Sequence, residues 1–414
     1  PAGGELPRPR EYVWDNFKGL CVLFVVLIHC VMSFCGIDAY VSSPILSGLV
    51  GVLVFVVMPG FTFVSGHLSS AELTPRRRVS LIRTWVVALL QQALWMLIYT
   101  PLAQQDAELR RPWLPLPFWS SGGVVWFLLC LALWRSLLPL LSMFRWPVTL
   151  SIVVSTLALF LDSSKSMVWQ PAFTFLPFFM AGYSTSPETL RRWSGPAARR
   201  CFLAVLALAA AASGLSRAAG GSARPVALEV WGAYACLYGD IMKQAQLPMH
   251  CTSWAAPLLH LAFLGVSFLL IPGLLACVPR RQMWGLTRAG AMSLYVYLLH
   301  IYGGLLGAAA LALAGGAAGE PSSERVAEGV LHGPLALPAA LAYGLLLWAC
   351  LAHGWVRCAC RPCVEPRLER WLLPDPEGGL QPTAATTEEA LAAGSKAAGE
   401  ASPRPSVSAA AAAA

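Results

Sequence analysis

Apolar runs of close to twenty residues recur along the whole chain, and few of them contain a charge. That is the length a helix needs to cross the hydrocarbon core of a bilayer. Ten such runs can be read, at about 18–36, 45–68, 81–100, 122–142, 147–161, 168–184, 200–216, 257–278, 289–313 and 334–356. The fifth and seventh are short. Only 12% of the residues are charged and 57% are hydrophobic, against about 25% charged in an ordinary globular domain. The 16 tryptophans suit a chain with headgroup-level anchors. The expectation is an all-α, polytopic membrane helix bundle of about ten transmembrane helices, with no sizeable soluble domain.

The basic residues test that count. Arg76, Arg77, Arg78 and Arg83 fall in one inter-span loop, Arg135 and Arg145 in the next but one, then Arg191, Arg192, Arg199 and Arg200, then Arg280, Arg281 and Arg288, and Arg357, Arg361, Arg367 and Arg370 follow the last span. The intervening loops hold few basic residues, each near acids: Arg110 and Arg111, Lys165, and Arg325. This alternation fits the positive-inside rule with both termini cytoplasmic. The aromatic stretch 226–243 reads as an interfacial helix, because an eleventh span there would invert every later loop. The net charge of +8 is thus explained by orientation, and no aromatic-basic pattern of a nucleic-acid binder is present. Beyond about 374 the composition shifts to Ala, Ser, Pro, Glu and Gly without apolar periodicity, which reads as a disordered tail over 374–414. Residues 1–13 read as an N-terminal cytoplasmic segment, and since the chain opens on Pro1 rather than Met, a targeting segment upstream is left open.

Ionisable groups inside spans mark function by default. In the first span, WDNFKGLCVLFVVLIHC, Lys18 and His29 are 11 residues apart, nearly three helical turns, so they share a face at roughly 16 Å separation. Asp15 lies one turn before Lys18 and can pair with it, although Asp15 also reads as an N-cap and Lys18 as a snorkelling end-of-span lysine. In the ninth span, LTRAGAMSLYVYLLHIYGG, Ser293, Tyr297 and His300 share a face. Both helices run from inside to outside, so His29 and His300 reach similar depth. Two imidazoles at one level suit a general base and its polar partner, or else two unrelated helix-packing hydrogen bonds.

Other polar groups are weaker candidates. Ser65 and Gly66, before His67 at the end of the second span, read as close-packing residues, with Ser65 at most a minor part of a site. His260 lies toward the outer side of the eighth span. Arg76, Arg77, Arg78 and Arg83 serve topology, or grip the phosphates of a cytosolic donor through their guanidinium forks. Cys358, Cys360 and Cys363, just past the last span, read as plain thiols or as juxtamembrane palmitoylation sites. With His353 they could make a zinc set, but no metal is expected. No P-loop, dinucleotide-binding glycine motif or HExxH occurs.

Taken in order, these segments resemble the acyltransferase type 3 family of multipass membrane acyltransferases. WDNFKGLCVLFVVLIHC is similar to that family's first span, with its acidic residue, basic residue and histidine. FTFVSGHL resembles its F-x-x-SG segment, VVWFLLCLALWR its W-[FY]-L span, FLPFFMAGY its F-x-x-F-F-x-x-G span, SLYVYLLH its S-x-x-x-Y-x-x-H, and VEPRLERWLLP its closing element. The match covers about 14–373. Many members have Arg where Lys18 stands, and an Arg-x-x-Arg pair in the loop that here reads Arg76, Arg77, Arg78 and Arg83.

The resemblance implies transfer of an acyl group, usually acetyl, from cytosolic acyl-CoA to a hydroxyl of a carbohydrate or similar acceptor. Acyl-CoA is then a co-substrate, and no cofactor is held permanently. His29 would be the general base or acyl relay. Lys18, held by Asp15, would position the donor. The four arginines would contact CoA phosphates, and His300, with Ser293 and Tyr297, would complete the chamber. A proton-coupled multipass transporter is the chief alternative, since midplane histidines also relay protons, although no internal repeat of the transporter kind is visible. A non-catalytic membrane sensor or scaffold, and a membrane-bound O-acyltransferase with an Asn/His pair, are further alternatives. The single asparagine, Asn16, lies at the mouth of the first span rather than within it.

Overall fold

A computed structural model describes residues 11–35, 44–105, 125–160, 169–218, 255–314 and 335–368. The 226–243 stretch, the tail from 374 onward and nearly all of the loops 101–121, 217–256 and 314–333 lie outside the described residues. The described chain is helical: α1 (Tyr12–Cys35), α2 (Pro44–Val54), α3 (Val57–His67), α4 (Pro75–Gln105), α5 (Val125–Leu141), α6 (Pro147–Leu157) with a short 3₁₀ turn (Ala158–Phe160), α7 (Trp169–Ser184), α8 (Pro187–Trp193), α9 (Pro196–Ala218), α10 (Ala255–Cys277), α11 (Trp284–Ala291), α12 (Ser293–Ala314), α13 (Ala336–Leu351) and α14 (Gly354–Val364). Proline opens α2, α4, α6, α8 and α9, where its fixed φ favours the first turn and its missing N–H costs nothing. Prolines inside α5, α7 and α10 are of the kind membrane helices tolerate.

Every expected span coincides with helix. Five stretches are long and apolar enough to cross a membrane: Tyr12–Cys35, Gly48–His67, Pro75–Leu97, His260–Cys277 and Ser293–Leu311. The count rises to seven if each of two bent pairs, α8 with α9 at 54° and α13 with α14 at 72°, is one span. The remaining expected spans correspond to shorter helices, α5 with 17 residues, α6 with 11 and α7 with 16. The second expected span is broken at Phe55 and Val56, whose N–H groups turn back to Val52 and Leu53. Pro59, which has no N–H to give to the Phe55 carbonyl, accounts for that break.

Large apolar side chains cover the outside of the bundle. Leu90 and Leu97 on α4, Leu208 and Leu215 on α9, Leu258 and Leu269 on α10, and Leu306 on α12 are all exposed. Such a surface would aggregate in water and is the lipid-facing surface of a membrane protein. The interior is a single aromatic-rich core in which Phe17, Phe34, Trp134, Phe175, Phe178 and Phe179 are fully buried.

Glycines set two close crossings. A Cβ on Gly66 would strike the Phe179 carbonyl, and one on Gly182 the Phe63 carbonyl, so α3 and α7 meet backbone to backbone. A Cβ on Gly19 would strike the Leu286 carbonyl, and one on Gly290 the Asp15 carbonyl, so α1 and α11 do the same. Such small-residue approaches are a main source of helix association where no hydrophobic force acts between helices.

Candidate functional site

The site is built from its lower end upward. Asn16, fully buried, donates through Nδ2 to the carbonyls of Pro279 at 2.7 Å and Arg281 at 2.9 Å. Its Oδ1 accepts from the Thr287 hydroxyl, which itself accepts from the Met283 N–H at 2.8 Å. One amide thereby fastens the start of α1 to the loop after α10 and to α11. Beside it the Trp14 and His67 rings lie 4.7 Å apart, and His67 Nδ1 donates to the Gly182 carbonyl at 3.3 Å. The start of α1, the ends of α3 and α7, and the 279–283 loop are therefore at one end of the bundle. The clusters Arg76–Arg78, Arg191–Arg192 and Arg280–Arg281 adjoin these same termini, so one end of the molecule gathers the arginines.

From that end, α1 and α12 rise side by side. His29 is 13 residues beyond Asn16, about 20 Å along the axis. There its Nδ1 meets His300 Nε2 at 3.0 Å, with ring centroids 5.0 Å apart. His300 is 1% exposed, whereas His29 is half-buried. The hydrogen bonds assign the tautomers. His300 Nδ1 faces the carbonyls of Tyr297 at 2.7 Å and Val296 at 3.2 Å, which only accept, so it carries the proton. In the neutral ring Nε2 is then an acceptor, and His29 Nδ1 must donate to it. That leaves His29 Nε2 with its lone pair as the basic atom of the pair.

Lys18 Nζ lies 3.1 Å from Asp15 Oδ1, and both side chains are mostly buried at the arginine-bearing end. Arg76, Arg77 and Arg78 are exposed on the first turn of α4, and Arg83 is half-buried. Arg77 pairs with Glu72 at 3.2 Å and donates to Ser70 Oγ at 2.7 Å, while Arg78 donates to the Leu73 carbonyl at 3.0 Å. Two of the four expected phosphate contacts thus brace the loop in front of their own helix. Further along α4, Gln91 accepts from the Tyr302 hydroxyl at 3.3 Å, which ties this helix to α12 two residues beyond His300.

The structure does not gather every expected residue at the imidazoles. Tyr297 is there through its carbonyl and its ring, which lies 6.1 Å from the His300 ring and packs on Phe61 and Phe127 at 6.5 and 5.6 Å. Ser293 opens α12, about 10 Å below His300. The Ser65 hydroxyl donates to its own helix at Phe61 O, 2.8 Å away. His260 is fully buried against Ser155, Nε2 to Oγ 2.7 Å. Among the described residues no group of three His, Cys, Asp or Glu is placed to hold a metal, and Cys358 and Cys363 are exposed on α14. Sequence reasoning passed over Asn16, Thr287 and Gly290 as positioning residues. A lone polar residue at a span mouth was the available signal.

No curated protein and no solved structure matches the chain. The family model for an acyltransferase domain, that of the acyltransferase 3 family, matches residues 11–353, most of the chain and every described helix from α1 to α13. On that match, and with a histidine pair carried on two membrane-crossing helices, the chain belongs to the acyltransferase 3 family of membrane-bound acyltransferases.

Proposed function

We propose that this protein moves an acyl group, acetyl in the first instance, from cytosolic acyl-CoA to a hydroxyl of a carbohydrate or similar acceptor, with His29 as general base. The contact of 3.0 Å between His29 Nδ1 and His300 Nε2 carries the reading, because it leaves Nε2 of the half-buried ring as the basic atom. That nitrogen takes the proton of the acceptor hydroxyl as the oxygen attacks the thioester carbonyl. The tetrahedral intermediate collapses with cleavage of the carbon–sulfur bond, and His29 returns the proton to the departing CoA thiolate. Ester and free CoA thiol are the products. The imidazolium formed in between is steadied by donation from Nδ1–H to His300.

Lys18, held by Asp15, and the arginines at positions 76, 77, 78 and 83 form the donor's entrance, where cationic groups attract phosphates. Ser293 and Ser65 lie between that entrance and the imidazoles and serve as lining rather than as reacting groups. The gathering of arginine clusters at one end supports an orientation with that end, and both termini, in the cytoplasm. The catalytic unit then spans 14–373.

The test is incubation of the purified protein with radiolabelled acetyl-CoA and a panel of glycans. A positioned base is worth roughly 10²–10⁴-fold in rate, so His29→Ala should lose transfer by that factor while eluting from gel filtration as the wild type does. Wild-type turnover by His29→Ala, or solute flux without donor consumption, overturns the proposal.

A further inference from the structure

At the arginine-bearing end, on a different face of the bundle from the α1–α12 seam, lies a cavity of about 590 Å³. That is within the roughly 300–1,000 Å³ range of small-molecule sites. Ile152 of α6, Phe63 of α3, Ala198 and Cys201 of α9, and Phe268 and Leu269 of α10 contribute to its wall. The wall is almost wholly apolar, and Leu269, Cys201 and Trp193 at its margin are exposed. Its mouth therefore opens on the lipid-facing surface rather than into the core.

The rim is the opposite in character. α8 bends away from α9 by 54° and carries Arg191 and Arg192 in its last turn, next to Trp193. Arg199 and Arg200 sit in the first turn of α9, between the lining residues Ala198 and Cys201. All four arginines are exposed, and Glu188 is the one acid on α8. On the other side of the mouth, Arg145 lies over the exposed Trp146 ring at 5.3 Å, just before the lining residue Val148. Paired Trp and Arg at this level mark the membrane interface. An apolar slot opening to lipid beneath four exposed arginines, with Glu188 as the single acid on α8, fits one occupant by charge and polarity together.

We infer that this groove binds an anionic phospholipid of the adjoining leaflet, one acyl chain in the slot and the phosphate headgroup on Arg191, Arg192, Arg199 and Arg200. A diffuse basic surface would attract anionic lipid without retaining it. The slot adds the apolar burial that converts attraction into a site. The groove involves neither His29 nor the donor entrance, so lipid binding there stands or falls apart from acyl transfer.

The experiment is native mass spectrometry of the delipidated full chain titrated with phosphatidylserine or phosphatidylcholine of identical acyl chains. Each cation beside an anionic membrane surface is worth roughly fivefold in binding. The wild type should retain phosphatidylserine, and replacing all four arginines with Gln should cut the preference over phosphatidylcholine at least tenfold. Cys201→Phe, which fills the mouth from an exposed position, should reduce retention of phosphatidylserine with every arginine in place. Ala198→Leu does the same from a second position if the first variant elutes abnormally. Equal retention of both lipids by the wild type overturns the headgroup site. Undiminished retention by both groove-filling variants overturns the slot. Displacement of the lipid by equimolar palmitoyl-CoA would assign the groove to a donor instead and overturn the proposal.

Discussion

The tautomer chain through His300 can be tested without touching the base itself. His300 presents a lone pair at Nε2, 3.0 Å from His29 Nδ1, because its own Nδ1 proton is held by the Tyr297 carbonyl. In the ground state both rings are neutral and this is an ordinary hydrogen bond. In the proposed reaction His29 takes up the acceptor's proton, and the same bond then joins a cation to a neutral acceptor. Hydrogen bonds to charged groups contribute about 1.5–3 kcal/mol and neutral ones about 0.5–1.5, and the difference of about 1–1.5 kcal/mol corresponds to roughly 5- to 13-fold in rate. His300→Leu fills a fully buried position with a side chain of tolerable size but removes the acceptor, so kcat should fall within that range. KM for either substrate should change little, since the lost interaction strengthens only as the proton moves. His300→Gln carries a carbonyl oxygen to about where Nε2 stands and should recover most of the loss. The assay is steady-state transfer from labelled acetyl-CoA, with gel filtration and thermal unfolding to show that each variant is folded. Wild-type kcat in His300→Leu would refute the positioning role. A His300→Gln variant as slow as His300→Leu, with both folded, would show that something other than the lone pair matters.

Three further outcomes follow from the lower half of the site. Gly290→Ala drives a methyl group into the Asp15 carbonyl. Backbone cannot step aside as a side chain can, so the cost should reach about 3 kcal/mol, the upper part of the overpacking range. Gly265→Ala, where nothing stands within 4 Å, should leave thermal unfolding in detergent unchanged, and equal melting of the two variants would sink the close-crossing argument. Asn16→Ala strands two carbonyls and the Thr287 hydroxyl, at roughly 1–3 kcal/mol for a buried group left without its partner. It should lower the melting temperature and speed proteolysis between 279 and 283, and an unchanged cleavage rate would count against the staple. Lys18→Met should raise KM for acetyl-CoA several-fold with little change in kcat, and Lys18→Arg should restore it. A fall in kcat alone would move Lys18 from donor entrance to chemistry.

Much of this was legible from spacing alone. Eleven residues between Lys18 and His29, and twelve between Arg288 and His300, place both imidazoles at one depth, because every helix rises by the same amount per residue. Asp15 and Lys18 pair for the same reason. The tertiary links were not legible, since their partners lie far away in sequence. Asn16 reaches Pro279, Arg281 and Thr287, and no local pattern announces that. Tyr297 meets His300 with its ring, as their shared face implies, and also with its carbonyl, a group every residue possesses and no spacing singles out. Ser65 reads as a close-packing residue with at most a minor part in a site, and its hydroxyl satisfies itself one turn back on its own helix. The break after α2 was readable in principle, because Pro59 inside an apolar run predicts an opened ladder.

The lower and upper halves of the site are one construction. Asn16 with Thr287, Gly19 with Gly290, and His29 with His300 each join positions 271 apart. Two helices that run parallel with equal rise keep such an offset along their whole length, and any slip in one contact must appear in the others. The change from α11 to α12 at Met292 does not disturb it, because the Met292 N–H still reaches Arg288 and the Val296 N–H still reaches Met292. The backbone contact at Gly19 and Gly290 and the Asn16 staple therefore set which residues of α1 and α12 stand level about 20 Å higher. A shift of one residue would turn His300 by 100° around its helix and part the rings altogether. On this view the arginine-bearing end holds the register of the imidazole pair as well as the entrance for the donor. Changes there should reach the chemistry through alignment even where they touch no substrate.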